Sequence, residues 1–186
     1  MKTRAPVGLV LILTLVAACS EAEPTAVLPV LEGPAHGIVA NGGQSGTAHL
    51  SGESEIPSRE TRARGQAVVR LSDDGTEVSY QLIVANIENV VQAHFHLGPA
   101  DENGPVVAFL FGPVPGGAGG VNGPIAEGTI TADDLVGPLA GAPMASLVEA
   151  ILAGGVYVNV HTNDGVAPTN TGPGDFPGGE VRGQVR

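Results

Sequence analysis

The sequence predicts an all-β domain folded as a sandwich, with one or two short helices. Three observations point there. Glycine and proline are abundant, 28 and 15 of 186 residues, and the apolar runs between them are short, as closely spaced strands require. Several runs alternate, most clearly Val78, Tyr80, Leu82 and Val84, and alternation sends successive side chains to opposite faces of a strand. Three later segments repeat one arrangement, with apolar residues on one parity and polar residues on the other. They are Ala93-His94-Phe95-His96-Leu97, Tyr157-Val158-Asn159-Val160-His161-Thr162 and Glu180-Val181-Arg182-Gly183-Gln184.

In chain order, the first segment is an address rather than fold. Lys2 and Arg4 precede an apolar stretch at 7–16, shorter than the roughly 20 residues of a membrane-spanning helix. Leu15-Val16-Ala17-Ala18-Cys19 resembles the lipobox of bacterial lipoproteins. The resemblance implies a signal peptide over 1–18, lipid on Cys19, and an extracytoplasmic protein tethered to a membrane of the bacterial cell envelope. Several acyl chains hold a protein at a bilayer far better than one. An ordinary secretory leader with an incidental cysteine is the alternative. Cys19 is the sole cysteine, so a lipidated chain has none left for a disulfide. Residues 19–44 mix Glu, Pro, Ala and Gly without periodicity and read as a flexible spacer containing His36. Residues 45–186 hold the domain, one unit with room for a core.

Without Lys2 and Arg4 the chain keeps six arginines against nineteen acidic residues, a net charge of −13. That surface repels nucleic acid, and no basic patch with interleaved aromatics offsets it. The expected partners are the membrane, through the anchor, and another envelope or extracellular protein.

Strands are expected at 47–52, 65–72 and 76–86, the last two joined by an Asp73-Asp74-Gly75 turn. The His-x-His strand follows, then strands at 104–111 and 123–130. Thr131-Ala132-Asp133-Asp134 reads as a helix cap with acids in the first turn. Pro143 opens a second helix whose Met144, Leu147, Val148, Ile151 and Leu152 share one face, and Gly154-Gly155 ends it. Strands at 156–162 and 180–186, separated by a loop at 163–178 rich in Pro, Gly and Asn, complete the set.

Strand parity places His94 and His96 opposite Ala93, Phe95 and Leu97. It likewise puts Tyr157, Asn159 and His161 opposite Val156, Val158 and Val160. Glu180, Arg182 and Gln184 oppose Val181 and Val185. If the strands are neighbours, these polar faces form one patch. Two histidines at i and i+2 project side by side, and imidazole suits copper and zinc. His94, His96 and His161 are therefore candidate metal ligands, with Glu180 as a fourth ligand or an orienting partner. The same residues also have a purely structural reading. In it His94 and His96 fix the Gly98-Pro99 turn, Asn159 and His161 bond loop backbone, and Glu180 pairs with Arg182. His49 reads as incidental. The pairs Asp73/Asp74 and Asp133/Asp134 do not resemble a glycosidase dyad. No Gly-x-Ser-x-Gly or phosphate-cradling loop occurs.

The order His49-Leu50-Ser51-Gly52, Ser54-Glu55-Ile56-Pro57, Gly65-Gln66-Ala67, Ala93-His94-Phe95-His96-Leu97-Gly98-Pro99-Ala100, Asn103-Gly104-Pro105-Val106-Val107, Tyr157-Val158-Asn159-Val160-His161-Thr162 and Gly179-Glu180-Val181-Arg182-Gly183-Gln184 closely resembles the CHRD domain. This module is named after animal chordin and is also found in bacterial secreted proteins. The resemblance implies a binding or structural module, with no settled activity for bacterial members. A more distant similarity joins His94-Phe95-His96 and Val160-His161 to the copper-ligand pattern of copper–zinc superoxide dismutase. It implies a Greek-key antiparallel β-sandwich, His94, His96 and His161 as copper ligands, Arg182 as an anion guide, and a weak redox activity. The loop that supplies that family's bridging histidine and zinc ligands is not recognisable at 112–123, and its disulfide is absent.

Overall fold

A computed structural model describes residues 43–186 of the chain. The leader at 1–18, Cys19, His36 and all but the last two residues of the 19–44 spacer lie outside the described residues. Eight strands form the domain: β1 (Ser45–Ser51), β2 (Arg64–Leu71), β3 (Val78–Glu88), β4 (Val90–Leu97), β5 (Val106–Phe111), β6 (Gly120–Ile130), β7 (Val156–Thr162) and β8 (Val181–Gln184). They make one antiparallel sheet in the order β5-β4-β7-β8-β1-β2-β3-β6.

The sheet coils into a nearly closed, sandwich-like barrel, and its edge strands β5 and β6 approach each other. Strands β4, β5 and β6 follow one another around it and β7 returns beside β4, a Greek-key path. The Tyr80 hydroxyl, on β3, donates to the Leu110 carbonyl of β5 at 2.7 Å and ties the two halves across the seam. At the other junction Ser51 pairs with Arg182, and Thr47 and Arg186 exchange backbone hydrogen bonds.

Local chemistry explains the turns. Gly75 takes a φ of 69°, and the Asp74 carboxylate accepts from the Ser72 hydroxyl and from the Thr76 amide and hydroxyl. The helix α1 (Met144–Leu152) buries Met144, Leu147, Val148 and Ile151. Leu152, expected on that face, is 48 % exposed, because it lies at the last turn past the edge of the core. The segment after Thr131 closes as a single 3-10 turn (Ala132–Asp134), and a second turn follows at Gly137–Leu139, so the domain has one short α-helix. There Asp134 accepts from the Thr131 amide and hydroxyl, both at 2.9 Å. This satisfies the turn locally and leaves too few residues before Pro138 to continue it.

The core joins alternating residues of every strand. Phe95 is fully buried and meets Tyr80 edge to face, with centroids 6.4 Å apart and planes at 72°. An aromatic ring in this position carries a large share of the buried area. β7 is buried at all seven positions. Its apolar parity faces the core, so something else covers its polar parity.

Candidate metal centre

Register assembles the polar wall. His94 pairs with Asn159 and His96 with Tyr157 across β4 and β7, while Gln92 pairs with His161. Asn159 and Tyr157 pair in turn with Arg182 and Gln184 across β7 and β8. His161 is thereby the diagonal neighbour of His94, within reach of a ring side chain. The three imidazoles gather as expected, with centroids 4.8 Å apart for His94 and His161 and 5.5 Å for His94 and His96. One ring nitrogen from each lies within 4.8 Å of the others.

Three loops cover this wall. The segment at 98–104 is held over it by Arg182, which donates to the carbonyls of Pro99 and Glu102, both at 2.7 Å, and to Asn103 Oδ1 at 3.0 Å. The loop at 163–180 is fixed by His161, and the segment at 52–60 by Glu55. As a result His94, His96 and His161 are only 3 %, 8 % and 7 % exposed.

The hydrogen bonds decide the tautomers. His96 Nδ1 lies 2.9 Å from the Gly104 carbonyl and His161 Nδ1 lies 2.8 Å from the Pro177 carbonyl. A carbonyl only accepts, so both rings carry the proton on Nδ1 and present a lone pair on Nε2. His161 Nε2 takes a hydrogen bond from His94 Nδ1 at 3.1 Å. His96 Nε2 and His94 Nε2 are buried without a partner. Backbone carbonyls that fix a ligand imidazole through its other nitrogen are the usual support of a metal-binding histidine. The donor set is three neutral imidazoles, which fits copper or zinc, with the ion taking the place of the hydrogen bond between His94 and His161.

Burial keeps the rings neutral. It pushes His94 down from 6.5 to about 3, helped by the nearby His161 and His96. It pushes His161 down to about 4 against the opposing Pro177 hydrogen bond. His96 is lowered for the same reason, opposed by its bond to Gly104 and helped by Arg182. Neutral rings are the form that binds a metal.

The other expected residues fall into place differently. Tyr157 stacks on His96 at 4.7 Å with planes 12° apart, and its hydroxyl accepts from the Gly104 amide at 2.9 Å. The Arg182 guanidinium covers the opposite face of Tyr157, 3.5 Å from its centroid. Arg182 is 1 % exposed and committed to loop carbonyls, so an anion-guiding role does not fit it. Glu180, expected to reach an imidazole or pair with Arg182, does neither. It accepts from the hydroxyls of Thr61 and Thr162 and from the Gly174 amide, because it lies just before β8, outside the regular strand register. Gln184 donates to the carbonyls of Gly98 and Gly154. His49 is exposed and apart from the cluster.

Asn159 does not bond loop backbone. It donates to both oxygens of Glu55, at 2.9 and 3.1 Å. Glu55 is a residue that strand parity could not find, lying in an irregular segment 104 positions from its partner. Burial raises its carboxyl to about 7 despite Arg182, Arg59 and the Asn159 hydrogen bond, with Glu180 adding to the rise. A surface cleft of about 730 Å³ lies between Thr61, Asn86, Glu88, Asn122 and Gly174.

A family model described as the CHRD domain matches residues 46–185, which include every residue of this centre. No curated protein matches the chain.

Proposed function

The chain belongs to the CHRD domain family, and on that footing we propose that its domain is a binding module for one copper or zinc ion, held by His94, His96 and His161. Lipid on Cys19 tethers it outside the cytoplasm, a reading supported by the lipobox residues Leu15-Val16-Ala17-Ala18-Cys19. The observation that carries the metal reading is the pair of buried Nε2 atoms, on His94 and His96, with no partner. An unmet buried polar group costs about 1–3 kcal/mol, and coordination to an ion removes that cost at a ring nitrogen. Here the carbonyls of Gly104 and Pro177 satisfy one nitrogen on each of two rings and aim the other inward. The role is binding rather than turnover, because the arginine that would draw in an anionic substrate is folded under a loop.

The test is metal content. The purified full-length chain, equilibrated with micromolar free copper or zinc and desalted, retains one ion per chain by mass spectrometry of the elements. His94→Gln and His161→Gln variants, shown folded by circular dichroism, retain none. Wild-type protein that leaves the column metal-free sinks the proposal.

A further inference from the structure

The charge of the ion this centre accepts follows from what surrounds the three rings, and the inference rests on the metal-binding reading above. We infer that the centre selects monovalent copper, Cu(I), over the divalent ions Zn(II) and Cu(II).

All three donors are neutral, and among the described residues no carboxylate joins them. The buried acids of the wall are spent elsewhere, Glu55 on Asn159 and Glu180 on Thr61, Thr162 and Gly174. With no anionic ligand, an entering ion keeps its full charge beside rings at most 8 % exposed. The cost of moving an ion out of water grows with the square of its charge, so a divalent ion faces about four times the penalty of a monovalent one. Arg182 adds to the difference. Its guanidinium stacks behind Tyr157, which stacks on His96, and this buried cation repels a divalent ion twice as strongly. The buried Glu180 offsets part of this, whereas the acidic surface acts through water and salt.

Coordination number argues the same way. Zinc takes four ligands, and a three-histidine zinc site completes itself with water. On the flank of His94 the Phe109 ring, edge on at 4.6 Å and 89°, offers a water no polar partner. Cu(I), the softer and singly charged ion, is complete with three nitrogens.

The experiment uses the full-length chain without oxygen. Cu(I), kept reduced by ascorbate, is partitioned against bicinchoninate, while Zn(II) and Cu(II) are titrated against chelators of known affinity. The expected result is one Cu(I) per chain held at least about 100-fold more tightly than either divalent ion, with an X-ray absorption edge of three-coordinate cuprous copper. Folded His94→Gln and His161→Gln variants lose it. Zinc or Cu(II) bound as tightly as Cu(I) at the same histidines overturns the inference and leaves the metal reading standing. Cu(I) retained by both variants overturns it as well. No ion bound in any arm overturns both.

Discussion

His96 and Tyr157 lie face to face, 4.7 Å apart, and both reach the same glycine: His96 through the Gly104 carbonyl, Tyr157 through the Gly104 amide. A candidate ligand and its neighbour thus share one backbone clamp. Arg182 completes it by holding the 98–104 segment in place.

Arg182→Lys keeps the charge and loses the planar fork that reaches the Pro99 and Glu102 carbonyls together. Metal affinity should fall by about 10- to 100-fold, the usual effect of removing an outer support of a ligand histidine. Tyr157→Phe, which keeps the stack and drops the hydroxyl, should fall less. Competition titrations measure both, and equal affinity in Arg182→Lys and wild type refutes the clamp.

Gly104→Ala should fold poorly, because a Cβ there would run into the Leu97 carbonyl. Backbone cannot yield as a side-chain tip can, so a loss of about 3 kcal/mol or more is expected. Urea unfolding reads it.

Phe95→Ala empties the centre of the core without touching the polar wall. The expected loss is about 3–5 kcal/mol. A drop below about 1 kcal/mol would mean the ring is not the anchor its burial implies.

Stability should depend on pH through two opposed groups. His94 and His161 ionise at about 3 and about 4 in the fold but at 6.5 otherwise. The unfolded chain binds their protons first, so stability falls as pH drops from 6.5 toward 4. Glu55 ionises at about 7 in the fold against 4.5. Its contribution is full below 4.5 and is lost as pH rises through 7. Two histidines outweigh one carboxyl between 4.5 and 6.5, so stability climbs there, then declines as Glu55 ionises. Urea midpoints across this range test it, and Glu55→Gln should abolish the decline and steepen the climb.

Cys19→Ser should move the protein from the membrane fraction to the soluble fraction and remove the lipid mass from its amino terminus. An unchanged distribution would rule out the tether.

Much of the wall was legible because a strand's two-residue period is rigid. Once 156–162 was read as a strand, Tyr157, Asn159 and His161 had to share a face, and β7 spans Val156–Thr162. Parity says nothing of what lies above that face. The burial of the wall depends on loops at 52–60, 98–104 and 163–180, whose paths follow no period. For that reason strand parity gives Glu55 no role and gives Glu180 the wrong neighbours. β6 begins at Gly120 rather than 123, because a run of glycines reads as a turn even where the backbone pairs with β3.

The covering of the histidines by three separate segments bears on how fast an ion comes and goes. No ring is more than 8 % exposed, so exchange must wait for a segment to lift, which breaks hydrogen bonds such as those of Arg182 or His161. Capture and release of an ion held there would therefore be gated by local opening rather than by diffusion. A cofactor seated there behaves as a long-term resident, suited to a store or a permanent fixture more than to a carrier that hands its cargo on at each encounter.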